Sequence, residues 1–367
     1  MHICGIICEY NPFHNGHLYH IQKAREITNC DLLICVMSGN FVQRGEAAIS
    51  DKWTRAEVAI QHGCDLVVEL PFPFVTQRAD RFAHGALEVL KQAGVDSIVF
   101  GSECGDVDRL YEAARMHLDM KSYRDSGISY AKALENALQF PLSSNDMLGV
   151  FYIKEILNTT IKAHCIKRTN QYHDTEIIQS ISSATAIRKA HHENLDITHT
   201  TDMKPEMLTG FKMDSYYPYL QTYLSTVDKE YLSSLFLVDE GIESLLIKQA
   251  KQHIDFESFL NACTSKRYTK ASIQRTCIHI LTQTTKKEID ALKEPDYLRV
   301  LAYNTKGQAH LRKLQDEDVV VASTFKNIPD GYRELELRST MAYAYPHDLQ
   351  KRQEIIKREL LPAVCVK

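Results

Sequence analysis

The sequence predicts an α/β fold: a Rossmann-like parallel sheet followed by a mainly helical C-terminal domain. Three observations predict it. Short apolar runs alternate with helical patterns over the first hundred residues, a polar turn with two histidines follows the first run, and the pattern becomes mainly helical after about residue 195. The 367 residues suit two domains at roughly 150 residues each. We therefore place the first domain at 1–195 and the second at 196–367.

Four apolar runs rich in β-branched residues have the composition of buried parallel strands. They span residues 3–8, 32–37, 66–70 and 97–100. Helical patterns separate them at 18–27, 52–61 and 81–93. Short apolar strands spaced by helices form βαβ units, whose sheet is covered on both faces. Ligands of such sheets bind outside the carboxyl ends of the strands.

The rest of the chain is predicted as helices with two further strands. Residues 106–160 have a helical pattern with a break at 141–145, 161–167 is a fifth strand, and a helix begins at 182 after a polar loop. Later helices are predicted at 226–238, 240–252, 255–263, 270–290 and 349–360, and a strand at 318–323.

Composition excludes several classes of protein. Hydrophobic residues make up 44% and charged residues 25%, which is ordinary for a folded domain and not for a disordered chain. We expect no membrane association, because no apolar run approaches the ~20 residues of a spanning helix, and no signal peptide. The ten cysteines form no C-x-x-C pair, so we expect reduced thiols, a cytoplasmic protein and no cysteine metal site.

Charge is distributed unevenly along the chain. Residues 1–150 contain 13 basic and 19 acidic side chains, whereas 151–367 contain 30 and 28. Residues 248–287 contain 8 basic and only 2 acidic side chains. A polyanion would therefore dock on the C-terminal half.

The strongest local signal is the turn after the first strand, residues 9–17, with the sequence EYNPFHNGH. His14 and His17 bracket Gly16, whose missing Cβ lets a bulky group approach the backbone. A helix start favours phosphate through its unpaired N–H groups and its dipole. Two imidazoles there can donate to phosphate oxygens and stabilise charge that develops at an α-phosphate. We take His14 and His17 as the catalytic residues. The competing interpretation is that they only cap a helix.

A second phosphate-binding segment is predicted late in the same domain. Residues 181–188 have the sequence ISSATAIR, in which Ser182, Ser183 and Thr185 can cap a helix and donate to phosphate. Arg188 adds a planar guanidinium group, which is permanently charged and suited to phosphate. The competing interpretation is a capped helix with an exposed arginine.

The H-x-G-H turn resembles the signature of the nucleotidylyltransferase and class I aminoacyl-tRNA synthetase superfamily. Together with 38–45 (SGNFVQRG), 181–188 and 265–270 (SKRYTK), it resembles the bacterial tRNA(Met) cytidine acetate ligase family over essentially the whole chain. The resemblance implies a nucleotide-binding first domain, an RNA-binding second domain, and ATP-dependent N4-acetylation of the wobble cytidine of elongator tRNA(Met). Acetate, and not acetyl-CoA, is the implied acyl source. ATP is expected to arrive with Mg2+.

The resemblance and the position of the strand ends assign a set of nucleotide contacts. The predicted ATP-binding residues are Ile7, Cys8, Glu9, Tyr10, Asn11, Pro12, Phe13, His14, Asn15, Gly16, His17, Leu18, Tyr19, His20, Gly101, Asn145 and Arg168. Asn145 as a helix N-cap and Arg168 as a surface arginine are the alternatives. The loop 38–45, with Arg44, is expected to hold acetate or to shape the cytosine pocket. Glu9 and Glu69 are candidates to accept the N4 proton or to bind Mg2+.

The tRNA contacts are predicted in the basic segment of the C-terminal half. They are Lys266, Arg267, Tyr268, Lys270 and Arg275. Lysine and arginine would bind backbone phosphate, and the tyrosine would stack on a base. A solvated charged loop is the alternative.

Two other functions remain open. One is a nucleotidyltransferase that adenylylates a small phosphorylated metabolite with the same histidine chemistry. The other is a nucleotide- or RNA-binding module without catalysis. An enzyme should lose turnover on removal of His17, whereas a binding module has no turnover to lose.

Overall fold

The structure, a computed structural model, describes residues 1–116, 130–168, 182–209 and 211–367. Within these ranges eight strands form one sheet in the order β5-β4-β1-β2-β3-β6-β7, with β8 beside β6. The strands are β1 Ile3–Cys8, β2 Leu32–Ser38, β3 Leu66–Leu70, β4 Ser97–Ser102, β5 Lys162–Lys167, β6 Tyr297–Tyr303, β7 Val320–Ala322 and β8 Val364–Cys365.

Helices cover both faces of the sheet and fill most of the later chain. In the first half they are α1 Asn15–Thr28, α2 Lys52–Gln61, α3 Phe72–Val75, α4 Ala79–Gln92, α5 Val107–Arg115, α6 Tyr130–Leu138, α7 Ser144–Ile156 and α8 Ala184–His192. In the second half they are α9 Met213–Thr226, α10 Lys229–Ser234, α11 Ile242–Ala250, α12 Phe256–Cys263, α13 Lys270–Leu281, α14 Lys286–Ala291, α15 Thr305–Asp316, α16 Asp330–Ala344 and α17 Leu349–Leu360.

The predicted α/β class and its parallel sheet are confirmed. β1 pairs in parallel with β2 and β4, β2 with β3, and β4 with β5. All five strands were predicted within two residues at each end. They are readable from the sequence because both sheet faces are covered, so each strand is a continuous apolar run. The carboxyl ends of β1, β4 and β5 therefore meet at one edge of the sheet.

The sheet also receives strands from the C-terminal half, which the sequence analysis did not predict in full. β6 runs antiparallel beside β3. On the other edge of β6, β7 pairs with its first half and β8 pairs with its second half. Only β7 was expected. β6 escaped prediction because Arg299 interrupts its apolar run, although that arginine is 1% exposed. The division at residue 195 stays a prediction, but residues beyond it complete the sheet.

Two predicted helices differ from the structure. Of the expected helix at 226–238 only Lys229–Ser234 (α10) forms, and Asp228 caps it through the backbone N–H groups of Glu230 and Tyr231. α9, which ends at Thr226, was not predicted. The expected helix at 270–290 is divided into α13 and α14, because Gln283 has a φ of 50° and Thr285 caps the second piece. Asp and Thr compete with helical backbone bonds and so favour caps.

Apolar side chains form a core on each face of the sheet and a third core among α9, α11, α12 and α13. Phe41, in the loop after β2, and Phe72, the first residue of α3 after β3, are buried in the third core. The segments that follow β2 and β3 therefore pack directly on the C-terminal helices. No helix in the described ranges combines the length and apolar character that a bilayer span requires.

A buried ionic cluster joins the two halves of the chain. The Lys52 ammonium, at the start of α2, lies 2.7 Å from Glu69 on β3 and 2.9 Å from Glu359 on α17, with Glu336 of α16 at 3.9 Å. All four side chains are almost fully buried. Burial raises the pKa of Glu336 far above its usual range, which limits the uncompensated negative charge of the cluster.

We expect Lys52→Met to lower the free energy of unfolding by about 3–5 kcal/mol, because it removes the cation shared by three buried carboxylates and leaves only Arg299, 3.6 Å from Glu359, beside them. Urea denaturation measures the change. Lys313→Met is the control, since Lys313 forms an exposed pair with Glu317 and should change stability by less than about 1 kcal/mol. Equal stability of the two variants would contradict the assignment.

Candidate nucleotide site

A cavity of about 360 Å³ opens at the carboxyl ends of β1, β4 and β5. The predicted residues that line it are Ile7, Cys8, Glu9, Tyr10, Asn11, His14, Gly16, His17, Tyr19, His20, Gly101, Asn145, Arg168, Ser182, Ser183, Thr185 and Arg188. The predicted contacts Pro12, Phe13, Asn15 and Leu18 are not part of this lining. Segments far apart in sequence thus converge where an α/β sheet binds ligands.

The two histidines of the H-x-G-H turn cap α1 with their own rings. His14 Nδ1 accepts from the Gly16 N–H at 3.0 Å, and His17 Nδ1 accepts from the His14 N–H at 3.3 Å. The rings stack with centroids 3.7 Å apart. Because Nδ1 is the acceptor in both rings, the neutral tautomer carries its proton on Nε2. Capping and phosphate donation are therefore compatible functions of the same side chains.

Burial keeps these histidines neutral. It lowers the pKa of His14 to about 3, with Arg168 and Arg188 adding to the effect, and it lowers the pKa of His17 well below the usual value. The pKa of His20 falls to about 4, again chiefly through burial. Neutral imidazoles donate a hydrogen bond without the cost of a buried charge.

Buried aromatic side chains pack against the His17 ring. The Tyr10 ring lies 4.8 Å from the His17 ring, and the buried Phe13 ring lies 5.8 Å from it. Phe13 therefore packs against His17 from the core without lining the cavity. Asn11 uses its side-chain oxygen to accept from the Ile49 N–H at 2.8 Å, which fixes the turn against the following loop.

Arg55 fixes the loops that leave β1 and β2, and the sequence analysis missed it. Its guanidinium is fully buried and donates to the backbone carbonyls of Glu9, Ser38 and Gly39. A further bond reaches the Ser50 carbonyl at 2.9 Å. An arginine inside an ordinary helical pattern has no sequence signal for this role, because its partners are carbonyls of distant turns.

Asn145 and Arg168 meet on the carboxylate of Glu103, just after β4. The Asn145 amide donates to Glu103 Oε1 at 2.6 Å, and Arg168 Nε lies 3.4 Å from the same oxygen. Ser143, and not Asn145, is the N-cap of α7. A Cβ on Gly101 would lie 3.3 Å from Arg168 Cγ, so the arginine stem covers that glycine. Glu103 was not predicted.

The second predicted phosphate-binding segment, 181–188, contacts the H-x-G-H turn. Ser183 caps α8 through the Ala186 N–H, and Arg188 donates to the Asn11 carbonyl at 2.8 Å. Arg188 also lies 3.3 Å from Glu46. Arg188 is therefore tied to the H-x-G-H turn and is not an isolated surface arginine. Ile181 lies outside the described residues.

The loop 38–45 reaches the cavity through its second half. Val42, Gln43 and Arg44 line the cavity, and the Gln43 N–H donates to Glu9 Oε1 at 2.8 Å. Burial raises the pKa of Glu9. Glu69 does not line the cavity, because its carboxylate is held by Lys52. Of the two candidate carboxylates, only Glu9 thus faces the site.

The five predicted tRNA contacts do not form one exposed surface. Lys266, Arg267 and Lys270 are exposed, and Arg267 pairs with Glu240 while lying over the Tyr268 ring. Arg275 is only 9% exposed and lies 3.4 Å from the Gln43 carbonyl. Arg275 therefore supports the cavity loop, because α13 packs its backbone directly on Gly45.

One group of potential metal ligands occurs in the described ranges, formed by His84, Glu88 and Glu155. It does not line the cavity. Both ring nitrogens of His84 already contact carboxylates, those of Glu155 and Glu294 at 2.9 and 2.8 Å.

Fold and site together define a nucleotidyltransferase of the H-x-G-H type. The sequence model of the HIGH Nucleotidyl Transferase family matches residues 1–358, which agrees with this class. The tRNA(Met) cytidine acetate ligase of Caldicellulosiruptor bescii is 39% identical over 94% of both chains, and that of Oceanobacillus iheyensis 34% over the full length of both. The chain belongs to the tRNA(Met) cytidine acetate ligase family.

Solved structures agree with this assignment. The Thermotoga maritima TmcAL apo crystal structure is 28% identical and covers both chains fully, with a TM-score of 0.91. The same protein bound with alpha-thio ATP has a TM-score of 0.87.

The lowered pKa of His20 predicts a pH dependence of stability. Between its unfolded value near 6.5 and its folded value of about 4, only the unfolded chain binds this proton. The free energy of unfolding therefore falls as pH falls, by about 1.4 kcal/mol per pH unit from this group. In His20→Gln this contribution disappears. We expect urea denaturation between pH 6 and 4.5 to give a shallower dependence of the free energy of unfolding on pH for the variant than for wild type. Parallel slopes for wild type and His20→Gln would contradict the lowered pKa.

Proposed function

We propose that this chain is an ATP-dependent ligase that acetylates N4 of the wobble cytidine of elongator tRNA(Met), using acetate and forming N4-acetylcytidine. The observation that carries the proposal is the pair of neutral imidazoles at the start of α1, with Arg168 and Arg188 beside them. Full-length similarity to proteins named tRNA(Met) cytidine acetate ligase supports the substrates.

Acetate needs activation because it carries no good leaving group. In the proposed first step an acetate oxygen bonds to the α-phosphorus of ATP, and the bond to pyrophosphate breaks. This gives acetyl-adenylate. In the second step N4 of cytosine bonds to the acetyl carbon, AMP leaves with the electrons of the C–O bond, and N4 loses one proton. Both steps develop negative charge on oxygen, which hydrogen-bond donors and cations stabilise.

The cavity residues suit these steps. His14 and His17 would donate from Nε2 to the α-phosphate, and Arg188 with Ser182, Ser183 and Thr185 would bind the departing phosphates. Asn145 and Arg168 would hold the adenosine side of ATP. These roles explain why no nucleophilic serine or cysteine is needed, since the substrate itself attacks.

Two carboxylates are available for Mg2+ among the described cavity residues, those of Glu9 and Glu46. Mg2+ binds through one or two carboxylates together with substrate phosphates, so this donor set fits the ion. The ion would neutralise triphosphate charge. The raised pKa of Glu9 also suits acceptance of the N4 proton.

Lys266, Arg267 and Lys270, which are exposed, and the half-buried Tyr268 beside them are proposed as tRNA contacts. Acetate, and not acetyl-CoA, is proposed as the acyl donor. A cytoplasmic location is proposed because the substrates are ATP and tRNA and all ten cysteines are free thiols.

The alternative transferase is not favoured by the similarities, which run over the whole chain to named tRNA ligases. Acetate dependence separates the two functions. A ligase exchanges labelled pyrophosphate into ATP only with acetate, and labelled acetate enters tRNA(Met) as N4-acetylcytidine. Absence of label in tRNA, with ATP and Mg2+ present, would refute the ligase.

We expect His17→Ala to lower acetate-dependent ATP–pyrophosphate exchange by about 10²–10³, because one donor to the developing charge is lost. His253→Ala is the control and should retain full exchange, because His253, between α11 and α12, does not line the cavity. A pure binding module would show no exchange in any of these proteins.

We expect Glu103→Gln to raise the KM for ATP by about tenfold with little change in kcat, because Asn145 and Arg168 lose the charge that orients them. The matched control is Glu112→Gln, on the exposed face of α5. A fall in kcat at unchanged KM would show that Glu103 acts in the chemical step instead.

A further inference from the structure

A set of basic and aromatic side chains leads away from the cavity over α8, α9 and α17. It starts at Arg188, which lines the cavity. Lys212, the residue before α9, is close enough to His192 on α8 to lower the pKa of that histidine, as Arg188 also does, although burial is the larger cause. Cationic side chains therefore continue from the cavity wall to the start of α9.

The next contacts carry this set onto the C-terminal helices. Phe211, beside Lys212, packs edge-on against the His347 ring with centroids 4.7 Å apart. His347 lies between α16 and α17, and its carbonyl accepts from Arg352 at 3.1 Å. Ring and hydrogen-bond contacts thus connect Phe211, the neighbour of Lys212, to the start of α17.

At the α17 end of this set, planar side chains pack against one another. The Arg352 guanidinium lies 4.2 Å from the centre of the Tyr345 ring, and a second bond, to the Tyr345 carbonyl at 2.6 Å, fixes its plane. The Tyr219 ring meets Tyr345 edge-on at 4.7 Å. Tyr345 and Tyr219 are 48% and 41% exposed. Exposed aromatic rings held rigid beside cations are unusual on a surface that meets only water.

We propose that these residues form a binding surface for unpaired nucleotides of the tRNA, on which one base stacks against the Arg352–Tyr345 layer. The surface, hereafter the stacking track, consists of Arg188, Phe211, Lys212, Tyr219, Tyr345 and Arg352. Guanidinium planes and aromatic rings are the groups that splayed RNA bases stack on, and lysine and arginine bind the phosphates between them. The proposal rests on the proposed function.

Charge favours RNA over a second copy of this chain. Lys212, a member of the track, is exposed. Lys351, near His347, is also exposed and pairs with Glu354 at 3.5 Å. The neighbouring Asp348 is engaged in capping α17. A cytidine held in the cavity leaves one flanking nucleotide on each side, so a track that begins at the cavity wall suits one of these flanks. The exposed segment 266–270 is available for the other.

The test measures binding of an unmodified elongator tRNA(Met) transcript, without ATP or acetate, by fluorescence anisotropy. Arg352→Ala should raise the Kd about tenfold, the expected size for loss of one stacked base. Arg352→Lys keeps the positive charge but lacks the planar guanidinium, so it should recover only a small part of the lost tRNA affinity. Arg115→Ala is the matched control, because Arg115 also lies over a tyrosine ring, that of Tyr111, on α5. Acetate-dependent ATP–pyrophosphate exchange without tRNA should stay at the wild-type level.

An unchanged Kd in Arg352→Ala, or full recovery in Arg352→Lys, would overturn the stacking track. A change in molecular mass by light scattering without a change in Kd would overturn it in favour of self-association. If Arg352→Ala fails to fold, Tyr219→Leu gives the same comparison. Wild-type acetylation of the transcript is measured first, so loss of the proposed function is seen separately from loss of the track.

Discussion

The position of the cavity depends on one buried guanidinium, that of Arg55. A buried charge is tolerated only when its donors are satisfied, and here the acceptors are backbone carbonyls of Glu9, Ser38 and Gly39. These carbonyls lie where the chain leaves β1 and β2. Arg55 therefore couples helix α2 to both cavity loops, and Lys52, one turn earlier, couples the same helix to the C-terminal half.

The histidine pair shows how local structure and chemistry use the same atoms. Each ring accepts a backbone N–H at Nδ1, which fixes its orientation and assigns its proton to Nε2. Burial then keeps both rings neutral, so positive charge at the cavity comes from its other lining residues, Arg44, Lys167, Arg168 and Arg188. The imidazoles can thus act as oriented donors and the arginines as counter-charges, without mutual repulsion.

The features that the sequence could predict are patterns within single segments of the chain. The strands of the parallel sheet and the turn at 9–17 are contiguous patterns, and their spacing along the chain follows from βαβ geometry. The missed residues act through contacts distant in sequence. Glu336 accepts from the Phe72 N–H across 264 residues, and β6 joins β3 across more than 220. The ionic partners of Lys52, the role of Arg55 and the burial of Arg275 leave no pattern in a single segment. Glu103 is closer to its partners, yet no periodicity marks it.

Contacts at the junction of the two halves place the C-terminal helices and the cavity loops in one packed unit. The backbone of α13 lies against Gly45, whose φ of +78° and lack of a Cβ permit the approach. The loop that contains Gly45 donates the Gln43 N–H to Glu9 in the cavity. Two contacts therefore separate α13 from a cavity carboxylate. Since packed interiors transmit displacement rather than absorb it, a displacement of α13 would be felt at Glu9. The three C-terminal strands of the sheet add to this connection, because they join the half that carries the basic segment to β3.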